Sequence, residues 1–450
     1  MRFQRSVLAV SVISALALAG CSGQADSDKN DQSGDGGKAS SGAVTIKFDA
    51  LEAGYGIEMY QKVIEAYKEV NPDVTIEFKA SKSLEDEITP SMKAGDYPDL
   101  VVLGQGRQAG LTESMVKDQA VEDLTDVLSM TVPGEDAAVQ DKLTDGIIGN
   151  LGTNPFGDDS TYLMPMFYSP TGLVYNKKLF EDNGWELPTT WDEMFKLGDE
   201  AKKKDIYLFT YPTAGYLDSY FFSLLADVGG QEFYEEVMTY GEGVWKKPEA
   251  KEALELTNKL LTQYTNPDTV GYANEQDFTK NQQQILDGTS IFMPNGTWIA
   301  GEMADAPRTD GFEWGLSPLP GIEDNRYITT SIETAWIPAE AQHKAEAKEF
   351  LAFFYSDAAA EIFAASNAIQ PIKGMTDKLP EELQGFYEVY DMDGVKPIVG
   401  GFATTATVEG VDVKGTLTNT ADSIISGDKT LDQWLSDLDK GSEEMRKASE

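Results

Sequence analysis

The sequence predicts an α/β protein of two lobes, and three observations carry that prediction. Strand and helix patterns alternate from Val44 onward, beginning with a strand, a helix and a second strand. About 430 residues follow Cys21, too many for one compact core and natural for two. A strand that empties through a turn into a helix then recurs further along the chain, ending with Ser290 to Trp298.

The first twenty-one residues have the pattern of an export signal. Arg2 and Arg5 give a positive start, Val7 to Leu18 is apolar, and small residues follow. That run is shorter than the roughly 20 apolar residues a membrane-spanning helix needs. Leu18-Ala19-Gly20-Cys21 has the form of a bacterial lipoprotein box, and Cys21 is the only cysteine. A lone exported thiol can make no internal disulfide, so lipidation at a new N-terminus is the expected use. Residues 22–42, dominated by Ser, Gly, Asp, Lys, Gln and Ala, hold too little apolar area to offset chain entropy and predict a flexible tether. Formal net charge is −40, and removing Arg2 and Arg5 makes it −42. Such a field repels phosphate backbones and argues against nucleic acid as a partner.

Taken in order, Val44-Thr-Ile-Lys-Phe48 alternates as a strand. Ile57, Tyr60, Ile64 and Tyr67 recur at helical spacing up to Asn71-Pro72, and Val74 to Phe78 alternates again. This βαβ unit predicts a largely parallel sheet. Asp99 to Leu103 has the continuous apolar run of a buried strand. It ends in Gly104-Gln105-Gly106, but the next glycine is Gly110, which breaks the dinucleotide-binding spacing. Loops at the carboxyl ends of such strands form the ligand crevice of open α/β sheets, which makes Glu52, Tyr55 and Gln105 candidates by position.

Leu163 to Trp191 is the most heavily punctuated stretch and is expected to open the second lobe. It predicts a strand entry, a Pro170-Thr171-Gly172 turn with Tyr168 and Ser169 before it, and a short strand from Leu173 to Tyr175. Thr190 and Glu193 predict a capping box at a helix start. Lys203 to Phe209 runs from helix to strand into a loop rich in aromatics, which includes Tyr216 and Asp218. Phe278 to Asp287 is helical with Gly288 as its stop, and Ser290 to Met293 is a buried strand before the turn Pro294 to Trp298. Trp314 to Pro320 and Tyr327 to Pro338 predict strands crossing between lobes, the second carrying Glu333. Helices are expected around Ala347 to Phe354 and Leu431 to Leu438.

Several of these segments, in this order, resemble the extracellular solute-binding proteins of ABC importers, in their sugar-binding branch. Ala94-Gly95-Asp96-Tyr97-Pro98-Asp99, Gly172 to Lys177 with Pro188 to Glu193, and Gly288 to Trp298 carry the likeness, which covers most of Val44 to Lys373. The resemblance implies a periplasmic-binding-protein-like (type II) fold with a hinge and an interlobe ligand cleft that closes on its ligand. It divides the chain into a signal (1–21), a tether (22–42), lobe 1 (43–155 with part of 305–360) and lobe 2 (156–304 with part of 361–450). It implies a carbohydrate ligand, a membrane permease as partner, a lipid anchor at Cys21, no cofactor, no metal and no catalysis, in a monomer at the outer face of the cytoplasmic membrane. Tyr168-Ser-Pro and the Thr210 to Tyr220 loop are most similar to members that handle N-acetylhexosamine sugars and short oligosaccharides. The loop after Leu103 departs from the family pattern, lacking its common aromatic or aspartate.

A pyranose has an apolar C–H face and a ring of hydroxyls, so its site needs an aromatic plane and groups that hydrogen-bond neighbouring hydroxyls. Trp298 is the expected plane, with Tyr168 or Tyr216 as a second. Glu52, Asp218, Asn295 and Glu333 are the expected hydroxyl readers, with Ser169 in a lesser part, since carboxylates make the stronger, charge-assisted bonds. A secreted glycoside hydrolase with paired carboxylates, a surface adhesin and a receptor for a non-sugar solute are the competing readings. A single histidine, His343, leaves no serine triad to assemble.

Overall fold

The computed structural model describes residues 44–52, 56–105, 110–274, 276–375, 378–403 and 407–449. The expectations for Cys21, the 22–42 stretch and Tyr55 lie outside them. The strands are β1 (Val44–Leu51), β2 (Val74–Ser81), β3 (Leu100–Gly104), β4 (Met164–Asn176), β5 (Tyr207–Phe209), β6 (Ser290–Gly296), β7 (Trp314–Ser317), β8 (Tyr327–Trp336) and β9 (Lys396–Ile398). Their order is β2-β1-β3-β8-β4-β6-β5, with β7 beside β4 and β9 beside β8.

The expected parallel βαβ unit is present, but the sheet is not largely parallel, because β8 pairs antiparallel with β3 and β4 pairs antiparallel with β6, β7 and β8. β1 runs parallel to β2, Val44 opposite Val74, and parallel to β3, Phe48 opposite Leu100. Parallel neighbours need a crossover, supplied here by the helices Glu58–Val70 and Leu84–Lys93. The first helix turns Met59, Tyr60, Val63 and Tyr67 inward, and Asn71 caps its end by donating its backbone N–H to the Tyr67 carbonyl. Phe48, Tyr60, Phe350 and Phe363 meet in the core of this lobe.

Two long strands join this lobe to the next. Glu333 to Trp336 of β8 pair with β3, and Ala335 to Glu333 also flank Met164 to Phe167 of β4. At its other end β4 pairs with β6 through Thr171 to Val174 and with β7 through Leu173 to Asn176. Each of β4 and β8 therefore begins in one lobe and ends in the other. The molecule is a two-lobed α/β protein in which crossing strands form the connection.

The expected turn at Pro170-Thr171-Gly172 is absent, because these residues sit inside the thirteen-residue strand β4. Two features of the packing explain why turn-type residues occupy a strand. Pro170 lacks a donor, and the ladder with β6 begins only one residue later, at Thr171. A Cβ on Gly172 would stand 2.6 Å from the Ser317 carbonyl, so β7 can approach only because the side chain is missing. The glycine marks a close approach of two backbones.

The second lobe begins as expected. Thr190 Oγ1 accepts from the Glu193 N–H at 3.3 Å and the Glu193 carboxylate accepts from the Thr190 N–H at 3.2 Å, completing the capping box of Trp191–Lys202. Trp191 is a packing residue, with its ring 5.6 Å from that of Phe195. The lobe's core collects Phe209, Tyr220, Trp245 and Trp434 from four separate elements. Its largest helix, Leu217–Met238, breaks at Gly230, whose φ of 75° is left-handed.

Candidate functional site

A local conflict of space places the most prominent aromatic ring. β6 is buried through Gly296, and Trp298 then caps the short helix Ile299–Glu302. The indole folds back over Gly296, so that any Cβ there would overlap its six-membered ring. The Gly-x-Trp pattern is thus a steric requirement, in which glycine makes room and tryptophan lies flat across it. The result is a large apolar side chain left 39% exposed. Tyr216 stands beside it, ring centroids 6.4 Å apart, and is itself stacked on Phe278 at 6.4 Å and 25°. Burial, with the Glu302 carboxylate nearby, pushes the Tyr216 phenol up to about 12, so it stays a neutral donor at physiological pH.

Trp298 and Tyr216 form one part of the wall of a cleft of about 820 Å³. That lies toward the upper end of the roughly 300–1,000 Å³ usual for small-molecule sites. Its floor is the crossing region of the long strands, Thr171 of β4 and Thr329 to Ile332 of β8. Gln105, Glu113 and Gly152 border it from the β3 side, and Gly400 to Ala403 with Thr407 to Lys414 border it on another. The three threonine hydroxyls of the floor are engaged within the protein, and that of Ser331 is exposed. Thr171 Oγ1 donates to the Thr329 carbonyl at 2.8 Å, Thr329 Oγ1 donates to the Ser219 carbonyl at 2.8 Å, and the Thr330 hydroxyl meets that of Tyr390 at 2.8 Å. The Thr329 bond ties the helix Leu217–Met238 to β8.

Four of the expected site residues come together in this cleft: Gln105, Tyr216, Asp218 and Trp298. Gln105 donates from Nε2 to the Gly152 carbonyl at 2.7 Å, which braces the end of β3 against that loop. Asp218 sits in the first turn of its helix, accepts from the Ser219 N–H at 2.6 Å and pairs with Lys414 at 3.0 Å.

The others lie elsewhere. Tyr168 is a core residue, its ring stacked 5.4 Å from Tyr390 and its carbonyl accepting from the Tyr387 hydroxyl at 2.7 Å. On a strand, successive side chains take opposite faces, and Tyr168 takes the apolar one. Ser169 takes the other, but its hydroxyl is bonded to that of Thr297 at 2.7 Å, which steadies the turn carrying Trp298. Asn295 is 1% exposed and accepts from the Gly296 N–H with its own Oδ1, so it lies beneath the cleft surface. Glu333, one residue beyond the cleft-lining Ile332, stands opposite Gly104 on β3. Glu52 follows β1 and makes an ion pair with the exposed Lys82, 3.6 Å away.

Sequence reasoning missed the wall formed by the C-terminal region. Phe402 stacks on Tyr240 at 5.6 Å and 17°, and Phe222 meets it edge-on at 6.1 Å. The available signal was the Gly400-Gly401-Phe402 triplet, a break after β9 that lets backbone approach the cleft while one aromatic points along it.

Two α/β lobes joined by crossing strands, with an aromatic-walled cleft at the crossing, define a receptor that encloses a small solute. The chain belongs to the bacterial extracellular solute-binding protein family, whose model matches residues 53–361. It is 25% identical over 379 residues to the diacetylchitobiose binding protein NgcE of Streptomyces coelicolor, covering 80% of this chain and 77% of that one. A maltotriose-binding protein of Pyrococcus abyssi is 27% identical over 275 residues, 59% of this chain and 51% of that one. Among solved structures, the apo form of RafE from Streptococcus pneumoniae superposes with a TM-score of 0.67 at 19% identity, covering 91% of this chain and 100% of that one. No helix among the described residues is long and apolar enough to cross a membrane.

Proposed function

We propose that this solute-binding protein is the carbohydrate receptor of an ABC importer, capturing a short oligosaccharide and delivering it to a membrane permease. The observation that carries the reading is the exposed Trp298 ring laid over Gly296 on the cleft wall with Tyr216 beside it. An apolar plane of that size in a solute cleft matches the C–H face of a pyranose, and Asp218 supplies a charged acceptor for its hydroxyls. The similarity to proteins named for diacetylchitobiose and maltotriose supports the same class. The diacetylchitobiose relative favours N-acetylhexosamine units. We place the chain outside the cytoplasmic membrane, held by a lipid at Cys21 through the 22–42 tether, as a monomer without catalytic activity.

Titration calorimetry of the tether-free protein with diacetylchitobiose, maltotriose and raffinose tests the reading. Saturable heat for at least one of them, with no reducing sugar released on prolonged incubation, is the expected result. Heat only for a diamine or a peptide would transfer the protein to the non-sugar class, and released sugar would make it a hydrolase. Gly296→Ala supplies a second check, since a methyl group there must displace the indole. Affinity for the bound sugar is expected to fall about tenfold, roughly 1.4 kcal/mol, with little change in melting temperature. An unchanged Kd would separate the platform from binding.

A further inference from the structure

We propose that Lys414 is a specificity-determining residue of this cleft, paired with Asp218 to recognise two adjacent hydroxyls, or a hydroxyl and an acetamido carbonyl, of an uncharged glycan. The proposal rests on the carbohydrate reading above. Lys414 is the only basic side chain among the described residues lining the cleft, where Glu113, Asp218 and Asp412 are the acids. It lies in the first turn of the helix Val413–Ser426 and reaches the Asp218 carboxylate at 3.0 Å. Asp412 is engaged as the cap of that helix, accepting from the Gly415 N–H at 2.7 Å. Asp218 spends one oxygen on the Ser219 N–H and the other on Lys414.

The two head groups present opposite capacities at one place. A carboxylate only accepts and an ammonium only donates. Neighbouring oxygens on a pyranose, one donating and one accepting, meet both at once, and both bonds are charge-assisted. Tyr216, two residues before Asp218, brings the aromatic platform to the same spot. The pairing also sets the charge class. With its cation already matched by Asp218, the cleft offers an acidic sugar no free positive group, and its other carboxylates repel one.

The test measures diacetylchitobiose, maltotriose and a trigalacturonate by calorimetry against the unmodified protein, Lys414→Met and Asp218→Asn, with melting temperatures as the folding control. Lys414→Met is expected to weaken whichever neutral sugar binds by at least tenfold at an unchanged melting temperature. Asp218→Asn frees the ammonium, so the trigalacturonate affinity relative to that of the neutral sugar is expected to rise at least tenfold, a gain that structural damage would not produce. Neutral-sugar affinity that is unchanged or improved in Lys414→Met would overturn the proposal, showing Lys414 to be a counter-ion that ligand displaces. So would an unchanged selectivity ratio in Asp218→Asn. If the unmodified protein binds no sugar at all, the carbohydrate reading itself fails and takes this proposal with it.

Discussion

Trp298→Ala is expected to weaken sugar binding by about 2 kcal/mol, roughly thirtyfold in Kd, while leaving the fold intact. The two effects separate because of where the ring lies. At 39% exposure over a glycine it contributes little to either core, so its loss opens no sealed cavity. It is also the broadest apolar surface that the cleft offers, and tryptophan at the centre of a contact is the residue type whose truncation usually costs most. Calorimetry gives the affinity, and a thermal melt within a few degrees of the unmodified protein confirms that the fold survives. An affinity loss below threefold would mean that the solute is held from the Phe222–Tyr240–Phe402 side instead. In that case Phe402→Ala becomes the informative variant.

Trp434→Ala is expected to have the larger effect on stability, about 3–5 kcal/mol, because it removes a fully buried ring from the second core. The indole meets Phe221 edge-on at 5.6 Å, and its Nε1 donates to the Thr416 carbonyl at 3.1 Å. Truncation leaves a cavity and removes the indole's bond to that carbonyl, which keeps the one from the Thr420 hydroxyl at 2.8 Å. Thr416 lies in the helix that begins at Val413, two residues beyond Lys414, so loosening this contact also frees one cleft wall. Urea denaturation should show a lower midpoint, and sugar affinity should fall with it. An unfolding free energy unchanged within about 0.5 kcal/mol would mean that the site repacks, against the close packing expected of such a core.

The extent to which the site was legible in the sequence follows the range of the forces involved. Gly296 and Trp298 are two residues apart, and the contact between them is local, so the pattern could be recognised along the chain. The same holds for the Thr190–Glu193 capping box and for the helix stop at Asn71-Pro72. Tyr168 shows the limit. Its neighbours along the chain mark it as a candidate as readily as Tyr216, but Tyr387 and Tyr390, more than two hundred residues away, close over it. Lys414 shows the converse, an unremarkable charge in a helix start until folding brings it to Asp218.

The sequence by itself determined the α/β class, the two-lobe organisation and the Trp298 turn, because hydrophobic periodicity, capping and glycine sterics act over a few residues. The tertiary structure alone decided which aromatic rings face solvent and which carboxylates find partners. Exposure and ion pairing in this cleft depend on segments that are adjacent in space and distant in the chain. The crossing of β4 and β8 brings those segments together, and the rings and charges of the wall acquire their places from it.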